Sequence, residues 1–343
     1  MRVVSLTSVR NEGPFLLEWL AWMQMIGVGD FVIAANDCAD GTDALLAALD
    51  AAGVVSYLPH APAPGKSVQW QALNLGWRHP LRRQADWVLI SDVDEFPVIH
   101  AGAGRLDDLF AALPAGTDAV ALPWRLFGHG GVIGFVDQPV TAQFTRSAPP
   151  DLAHPIAATF FKSLFRPAAF ARFGVHRPRQ TDAAAPLWVD GDGSPLPPII
   201  AGDDSRMSLL GTGPGRGLVE MHHYSTRSAE AFLVKAARGL PNRRHKPIDL
   251  GYWVERNFNS VENTAALRHQ PALGAGIARL KALPGVAAAH QAAVDWHRAA
   301  IRAALAQPDS YRLFASICHV ATAAPLPPAL VHRLLALFGE LPR

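Results

Sequence analysis

A chain of 343 residues, half of them hydrophobic and 17% charged, can bury a large core, which excludes a protein that is disordered throughout. Its 31 lysines and arginines and 29 acids leave a net charge of +2, which gives no support to a nucleic-acid partner. Two distant cysteines, Cys38 and Cys318, exclude a disulfide framework and a cysteine-based zinc site.

The N-terminal stretch MRVVSLTSVRNE joins a short apolar run to charged residues. That run is shorter than the apolar core of a signal peptide, and no segment offers the roughly 18 uninterrupted apolar residues of a spanning helix. The predicted location is therefore the cytoplasm. Residues 2–7 are rich in apolar and β-branched types and predict a first strand.

Helices and strands alternate after this first strand. The segment RNEGPFLLEWLAWMQMIGV predicts a helix, with Pro14 in its first turn and Gly27 at its end. Three more strands, with helices between them, are predicted at 30–36, 54–59 and 86–93. This alternation predicts an α/β fold whose largely parallel sheet has helices on both faces. Ligands of such sheets bind beyond the carboxyl ends of the strands.

The pattern changes after residue 119. Short apolar runs between 119 and 175 predict mixed or antiparallel strands, and the Gly-, Pro- and Asp-rich residues 177–217 predict a long loop. From residue 228 onward the sequence is mainly helical and ends in two helices between 313 and 338. The last helix, with Arg333 on one face, could touch a membrane surface, although a core or surface helix is the simpler interpretation.

Three acids lie at the carboxyl end of the fourth predicted strand in ISDVDEF, namely Asp92, Asp94 and Glu95. Two carboxylates one residue apart at a strand end can reach one hard cation and leave positions open for phosphate oxygens. Such a cation neutralises a diphosphate as it departs. A helix cap or surface turn would also explain a lone pair of acids, but the position after a buried parallel strand favours a binding site.

Two further polar segments lie near predicted strand or helix ends. In NDCADGT, Asn36, Asp37 and Asp40 could contact a nucleotide, or could simply form a turn and a helix cap. In EMHHYSTRS, His222 or His223 could bind the cation, and Tyr224 or Arg227 could bind phosphate. A structural role for the histidines is equally compatible with the sequence.

In order along the chain, VRNEGPFLLEWLAW, NDCADGT, WVLISDVDEF, WRLFG, VHRP and HHYSTRSAEAF resemble motifs of the glycosyltransferase family 2-like proteins with a GT-A fold. The branch most similar is related to the family 92, or DUF23-type, enzymes. The resemblance covers roughly residues 2–240. It implies a GT-A domain over residues 1–240, followed by a mainly helical extension over 241–343.

The resemblance also implies roles for individual residues. Asp94 would be the principal ligand of Mn²⁺ or Mg²⁺, with Asp92 near the ribose and the metal and with His222 or His223 completing the site. The nucleotide pocket would be lined by Asn11, Glu12, Asn36, Asp37 and Asp40. The related sequences often carry an acid where this chain has Ala35, which leaves base recognition to Asn36 or Asp37.

The implied reaction moves a sugar from a nucleotide-diphosphate sugar, with a UDP-sugar as first choice, to a polysaccharide, glycolipid or other glycan acceptor. Inversion at the anomeric carbon needs a general base, usually a carboxylate. The candidates in this sequence are Glu95, Asp137, Asp203, Asp204 and Glu220. Asp203 and Asp204 rank first because they lie in the predicted loop, whereas Glu95 could instead orient its neighbours.

Two other functions stay open. A nucleotidyltransferase acting on a sugar phosphate would also use paired acids, but TSVRNEGP lacks the Gly-rich, basic phosphate loop expected of it. A noncatalytic nucleotide-sugar-binding protein is disfavoured because both acids of DVD are intact. The predicted partners are a nucleotide sugar and a glycan or lipid-linked acceptor, with peripheral contact at the inner face of a membrane. The basic clusters RPR and NRRHK could bind phosphate or lipid headgroups. They could equally form part of a solvated surface.

Overall fold

The computed structural model describes residues 1–180, 185–213, 215–239 and 248–340. The NRRHK cluster and the predicted domain border at 240 lie outside these ranges. The strands are β1 (Val3–Val9), β2 (Asp30–Ala35), β3 (Ser56–Pro59), β4 (Trp87–Ile90), β5 (Glu95–Ile99), β6 (Ala119–Leu126), β7 (Arg146–Ser147), β8 (Phe161–Phe165), β9 (Trp188–Val189), β10 (Val219–His223) and β11 (Val261–Glu262). The helices are α1 (Gly13–Ile26), α2 (Thr42–Ala51), α3 (Val68–Arg78), α4 (Pro80–Arg83), α5 (Leu106–Ala112), α6 (Val140–Gln143), α7 (Pro198–Ala201), α8 (Ala229–Arg238), α9 (Leu250–Val254), α10 (Gln270–Lys281), α11 (Val286–Leu305), α12 (Pro308–His319) and α13 (Pro328–Glu340).

A mixed sheet forms the centre of the described chain, in the order β3-β2-β1-β4-β8-β6-β10-β5 with β9 beside β6. The strands β1 to β4 are parallel to one another, and β8 runs antiparallel to both β4 and β6. The strand β10 is parallel to β6 and antiparallel to β5. The predicted α/β fold class with a mixed sheet is therefore confirmed.

Side chains that alternate along β1 show how the sheet is covered on both faces. Val4 and Leu6 pack in one cluster with Leu73 of α3, whereas Val3 and Val9 pack in another with residues of α1. Successive residues of a strand point to opposite faces, so the two clusters lie on opposite sides of the sheet. The predicted placement of helices on both faces is confirmed.

The helix α1 is buried on nearly all of its surface, because α10 and α11 of the C-terminal region pack against it. Gly276 of α10 allows this approach, since a Cβ there would lie 3.1 Å from the Cβ of Ala21. Gly13 does the same for α11, where a Cβ would lie 2.5 Å from that of Ala293. The predicted helical C-terminal region is confirmed, and its helices α10 and α11 share the core of the sheet-bearing part.

Burial of an acid in α1 predicts a pH dependence of stability. Glu18 is only 6% exposed, and burial raises the pKa of its carboxyl from 4.5 to about 7, although hydrogen bonds from Val140 and Thr141 oppose the shift. As the pH rises, the native state therefore keeps this proton up to a higher pH than the unfolded chain does. The resulting stabilisation is complete below about pH 4.5 and is lost as the pH rises through about 7.

We expect the unfolding free energy to fall by about 3 kcal/mol over that range from this group alone. In the variant Glu18→Gln this part of the slope should disappear, as measured by urea unfolding at a series of pH values. Glu262→Gln, at an exposed position, is the control and should leave the slope unchanged. An unchanged slope in Glu18→Gln would show that the carboxyl titrates alike in both states.

The last two helices, α12 and α13, confirm the prediction of two helices near the end of the chain. The side chains of Leu337 and Phe338 on α13 are 49% and 53% exposed. Among the described residues, no helix has the length and apolar character required to cross a membrane.

Candidate functional site

A cleft of about 970 Å³ opens at the carboxyl ends of the parallel strands, where the sequence predicts a ligand. We call it the strand-end cleft. The predicted site residues that line it are Glu12, Asn36, Asp92, Asp94, Asp204 and His223. Its volume lies at the upper end of the range for small-molecule sites, so it has room for a nucleotide and a second group.

Asp94 lies between a lysine and a histidine. Its Oδ2 accepts a hydrogen bond from Lys235 Nζ at 2.8 Å, and its Oδ1 lies 3.7 Å from His223 Nε2. Burial alone would raise the pKa of this carboxyl, but the charges of Lys235 and His223 hold the pKa well below its usual value. Asp94 is therefore an anion over the whole physiological range and holds the lysine in the cleft.

Asp92 faces a second lysine. Lys162 Nζ, which is fully buried on β8, donates to Asp92 Oδ2 at 3.1 Å and lies 3.2 Å from Glu95 Oε2. Gln69 Nε2 donates to the other Asp92 oxygen at 3.0 Å. The Asp92 carboxylate is 39% exposed and reaches the cleft, with its orientation fixed by these two donors.

Glu95, a predicted base, lies behind Asp92. It is 0% exposed, and its Oε2 accepts a hydrogen bond from the backbone N–H of Asp92 at 2.9 Å. Burial raises the pKa of its carboxyl to about 8, against the opposing charge of Lys162. Glu95 does not line the strand-end cleft, and its Oε2 already contacts the Asp92 N–H and Lys162, so Glu95 supports Asp92 instead of acting as a base.

The two neighbouring histidines have different surroundings because they lie on strand β10, where successive side chains point to opposite faces. His223 faces the strand-end cleft beside Asp94, whereas His222 is fully buried with its Nε2 2.9 Å from Glu220 Oε1. The alternative of His222 as a cation ligand is therefore corrected in favour of His223.

Glu220 and Asp137 are corrected as base candidates because both are paired away from the cleft. Glu220 is buried among His222, Arg125 and Arg216, and although burial would raise its pKa, these partners lower it strongly. The Asp137 carboxylate lies 3.2 Å from His290 Nε2. Neither acid lines the strand-end cleft.

The two loop acids differ in position, because Asp204 lines the strand-end cleft and Asp203 does not. Asp203 is exposed and accepts hydrogen bonds from the N–H and hydroxyl of Ser205. Asp204 lines the cleft, accepts a hydrogen bond from Gln180 N at 3.0 Å and lies 4.0 Å from Arg177 Nη2. Of the predicted base candidates, Asp204 is the one that lies at the cleft surface.

The predicted nucleotide-binding residues divide between the cleft and its supporting loops. Glu12 lines the cleft and pairs with Arg227 and Arg238; burial would raise its pKa, but the two guanidinium groups lower it. Asn36 lines the cleft as well, with its Nδ2 donating to Asp37.

Asn11, Asp37 and Asp40 do not line the cleft, which corrects their predicted contact with the nucleotide. Asn11 and Asp37 have the left-handed backbone conformation, which asparagine and aspartate tolerate best among residues other than glycine. Asp40 accepts hydrogen bonds from the N–H groups of Gly13 and Thr42, so it stabilises the start of both α1 and α2. These residues shape the strand ends.

The cations of the cleft include Arg177 and Arg179 of the RPR cluster, whereas the sequence patterns did not single out the other cations. Lys235 and Arg238 lie three positions apart on α8, in the part of the chain that is predicted to be helical, and residues at this spacing share one face of a helix. The lysine and arginine residues that line the cleft are Arg10, Arg177, Arg179, Lys235, Arg238 and Arg256. This set suits a ligand with several negative charges.

The ligand set expected for Mn²⁺ or Mg²⁺ is incomplete in the described part of the chain, where no group of three or more His, Cys, Asp or Glu side chains is placed to hold a metal ion. One oxygen of Asp94 is bonded to Lys235, and both oxygens of Asp92 are bonded to other donors. What remains is Asp94 Oδ1 with His223 Nε2. The lysine charges already neutralise the acids, so these side chains do not fit a divalent cation held by the protein.

Several solved structures are similar to this chain at low identity. A 1–349 fragment of S. aureus TarS is 13% identical over 91% of each chain, with a TM-score of 0.34. The same fragment in complex with UDP-GlcNAc is 14% identical over 94% of this chain and 93% of that chain, with a TM-score of 0.31. A glucose-1-phosphate thymidylyltransferase from Bacillus anthracis is 13% identical over 39% of this chain and 58% of that chain, with a TM-score of 0.26. No protein-family model and no curated protein sequence matches the chain.

Proposed function

We propose that the chain is a GT-A-type glycosyltransferase that moves a sugar from a nucleotide-diphosphate sugar to a hydroxyl of a glycan or lipid-linked acceptor. The observation that carries this proposal is the position of Asp92 and Asp94 at the carboxyl end of β4, inside a large cleft rich in cations. Glu12 and Asn36, at the ends of β1 and β2, supply polar groups for the nucleoside part.

In the proposed inverting reaction, the acceptor hydroxyl oxygen forms a bond to the anomeric carbon as the bond from that carbon to the phosphate oxygen breaks. The electron pair leaves with the nucleoside diphosphate, and the hydroxyl proton passes to a carboxylate. Asp204 is proposed as that base, because its carboxylate lies in the cleft and is not bonded to a lysine. The cleft cations stabilise the charge of the departing diphosphate.

A panel of nucleotide sugars tests this proposal by thermal unfolding, with and without Mn²⁺. A donor that binds only the native state raises the melting temperature, by a few degrees at a concentration well above its Kd. We expect one class of nucleotide sugar, with UDP-sugars the first choice, to raise it more than the free sugar or the nucleoside does. Failure of every nucleotide sugar would contradict the proposal.

The product of the reaction distinguishes the nucleotidyltransferase alternative from the proposed glycosyltransferase. Incubation with a nucleoside triphosphate and a sugar phosphate would then release pyrophosphate, whereas the proposed transferase releases a nucleoside diphosphate from a nucleotide sugar. A donor that binds but is not consumed with any acceptor would instead indicate a noncatalytic binding protein.

The acceptor and the membrane contact are also proposals. Phe338 of α13 lines the strand-end cleft and is about half exposed, and Leu337 beside it is exposed as well. An apolar helix end at the mouth of the cleft favours a lipid-linked acceptor over a free sugar, because it offers contact to an acyl or prenyl chain.

A further inference from the structure

Each acid of the DVD sequence is neutralised by a lysine from a distant part of the chain. Lys162 neutralises Asp92 from β8, and Lys235 neutralises Asp94 from α8. The two lysines differ in access: the Lys162 side chain is 0% exposed, whereas that of Lys235 is 14% exposed and lines the strand-end cleft. Lys235 is therefore the lysine that a ligand in the cleft can touch.

The Lys235 ammonium has hydrogen-bonding capacity left. It donates to Asp94 Oδ2 and to the carbonyl oxygen of Ser225, each at 2.8 Å. An ammonium group has three N–H donors, and the third has no hydrogen-bond acceptor among the described residues. Asp94 and Ser225 fix the nitrogen in place, so the remaining donor is aimed without further loss of side-chain freedom.

Two neighbouring cations of the cleft, Arg238 and Arg256, are held more fully by other groups. Arg238 donates to Glu12 and to the carbonyl oxygen of Arg10. Arg256 stacks on the ring of Tyr252 at 3.8 Å and donates to Glu255 at 2.9 Å. Lys235 is therefore the cation placed at the acid where a divalent ion is expected.

We propose that Lys235 holds the diphosphate of the donor at Asp94, in the role expected of Mn²⁺ or Mg²⁺, so that donor binding does not require a divalent cation. This inference rests on the proposed function. An ammonium group fixed beside a phosphate makes a charge-assisted hydrogen bond. This bond stabilises the negative charge of the phosphate in place of a bound metal ion. The paired acid serves to position the lysine, and the nucleotide oxygens take up its third N–H.

Binding of UDP, GDP, ADP, CDP and dTDP, measured by isothermal titration calorimetry in EDTA and in Mn²⁺, tests the inference without relying on activity. We expect the preferred nucleotide to bind the wild-type protein with the same affinity in both solutions. In Lys235→Met, affinity in EDTA should fall about tenfold to a hundredfold. Mn²⁺ should then restore part of it, because the Asp94 carboxylate has lost its lysine and can accept the ion.

Two further variants control this comparison. Lys235→Arg keeps the charge and should bind in EDTA within about tenfold of wild type. It also keeps the test valid if Lys235→Met does not fold, which circular dichroism would show. Lys281→Met removes a lysine from α10 that is 38% exposed and should bind as wild type does.

The outcomes separate the two proposals. Wild-type binding that is lost in EDTA and restored by Mn²⁺ overturns the role of Lys235 and leaves the proposed function intact. Unchanged affinity of Lys235→Met in EDTA does the same. If none of the five nucleotides binds under either condition, the proposed function fails and this inference fails with it.

Discussion

Replacing Asp94 by asparagine is expected to slow sugar transfer by about a hundredfold to a thousandfold while the protein stays folded. Asparagine keeps the size of the side chain but removes the charge that orients Lys235 at 2.8 Å and faces His223 at 3.7 Å. Without that charge, the cation at the diphosphate is no longer held in one position. The electrostatic stabilisation of the departing group is then lost.

Steady-state kinetics with the donor identified by the nucleotide-sugar panel measures this effect, with kcat and KM determined separately. We expect the loss mainly in kcat, because the charge acts on a group that becomes more negative in the transition state. Asp309→Asn makes the same chemical change at a side chain that is 95% exposed and should have no effect. Transfer within tenfold of wild type in a folded Asp94→Asn protein would refute the assignment of the site.

Replacing Lys162 by methionine is expected to lower the unfolding free energy by about 3 kcal/mol. The lysine is fully buried at the centre of the sheet, 3.1 Å from Asp92 and 3.2 Å from Glu95. Asp92 can turn toward water once the lysine is gone, but Glu95 is 0% exposed and cannot. It must stay charged without a cation or take up a proton, and either choice costs stability.

Urea unfolding of a double-mutant cycle measures this pair directly. The double variant Lys162→Met with Glu95→Gln should lose less unfolding free energy than the sum of the losses in the two single variants, because the unpaired carboxylate is absent. Lys281→Met serves as the exposed control. A loss of less than about 1 kcal/mol in Lys162→Met would mean that Glu95 does not depend on the lysine for its stability.

The sequence predicts the first part of the fold well because the signals there are local. Pro14 lies in the first turn of α1 and Gly27 ends the helix in the left-handed conformation, as their residue types predict. The positions of Asp92 and Asp94 at a strand end follow from the same alternation of strands and helices. These inferences need only the order of residues along the chain.

The cations of the site could not be predicted in this way. Lys162 is one charge inside the apolar run AATFFKSLF, and no local pattern states that its partners are Asp92 and Glu95. Lys235 and Asp94 are 141 positions apart along the chain. Their contact brings α8 to the segment between β4 and β5, which is decided by tertiary packing and not by helical periodicity.

The different surroundings of His222 and His223 depend on a strand that the sequence indicates only weakly. The sequence of residues 220–228 predicts that the two histidines lie between a loop and a helix. In the structure, His222 and His223 end the strand β10. A strand at this position predicts, by alternation alone, opposite environments for the two side chains. Strand β10 is short and contains polar residues, which weakened the signal for it.

Under the proposed function, insertion of β10 into the sheet must also precede ligand binding during synthesis. This strand inserts between β5 and β6, both of which are translated much earlier. Contacts between distant parts of a chain form late in folding, because loop closure must precede them. A nascent chain that has not yet emerged through residue 223 lacks His223 and has no partner for β5. The strand edges of β5 and β6 that β10 will later cover are then unpaired and open to aggregation. Under the proposed function, nucleotide binding would therefore report that β10 has inserted and that α8, which carries Lys235, has packed after it.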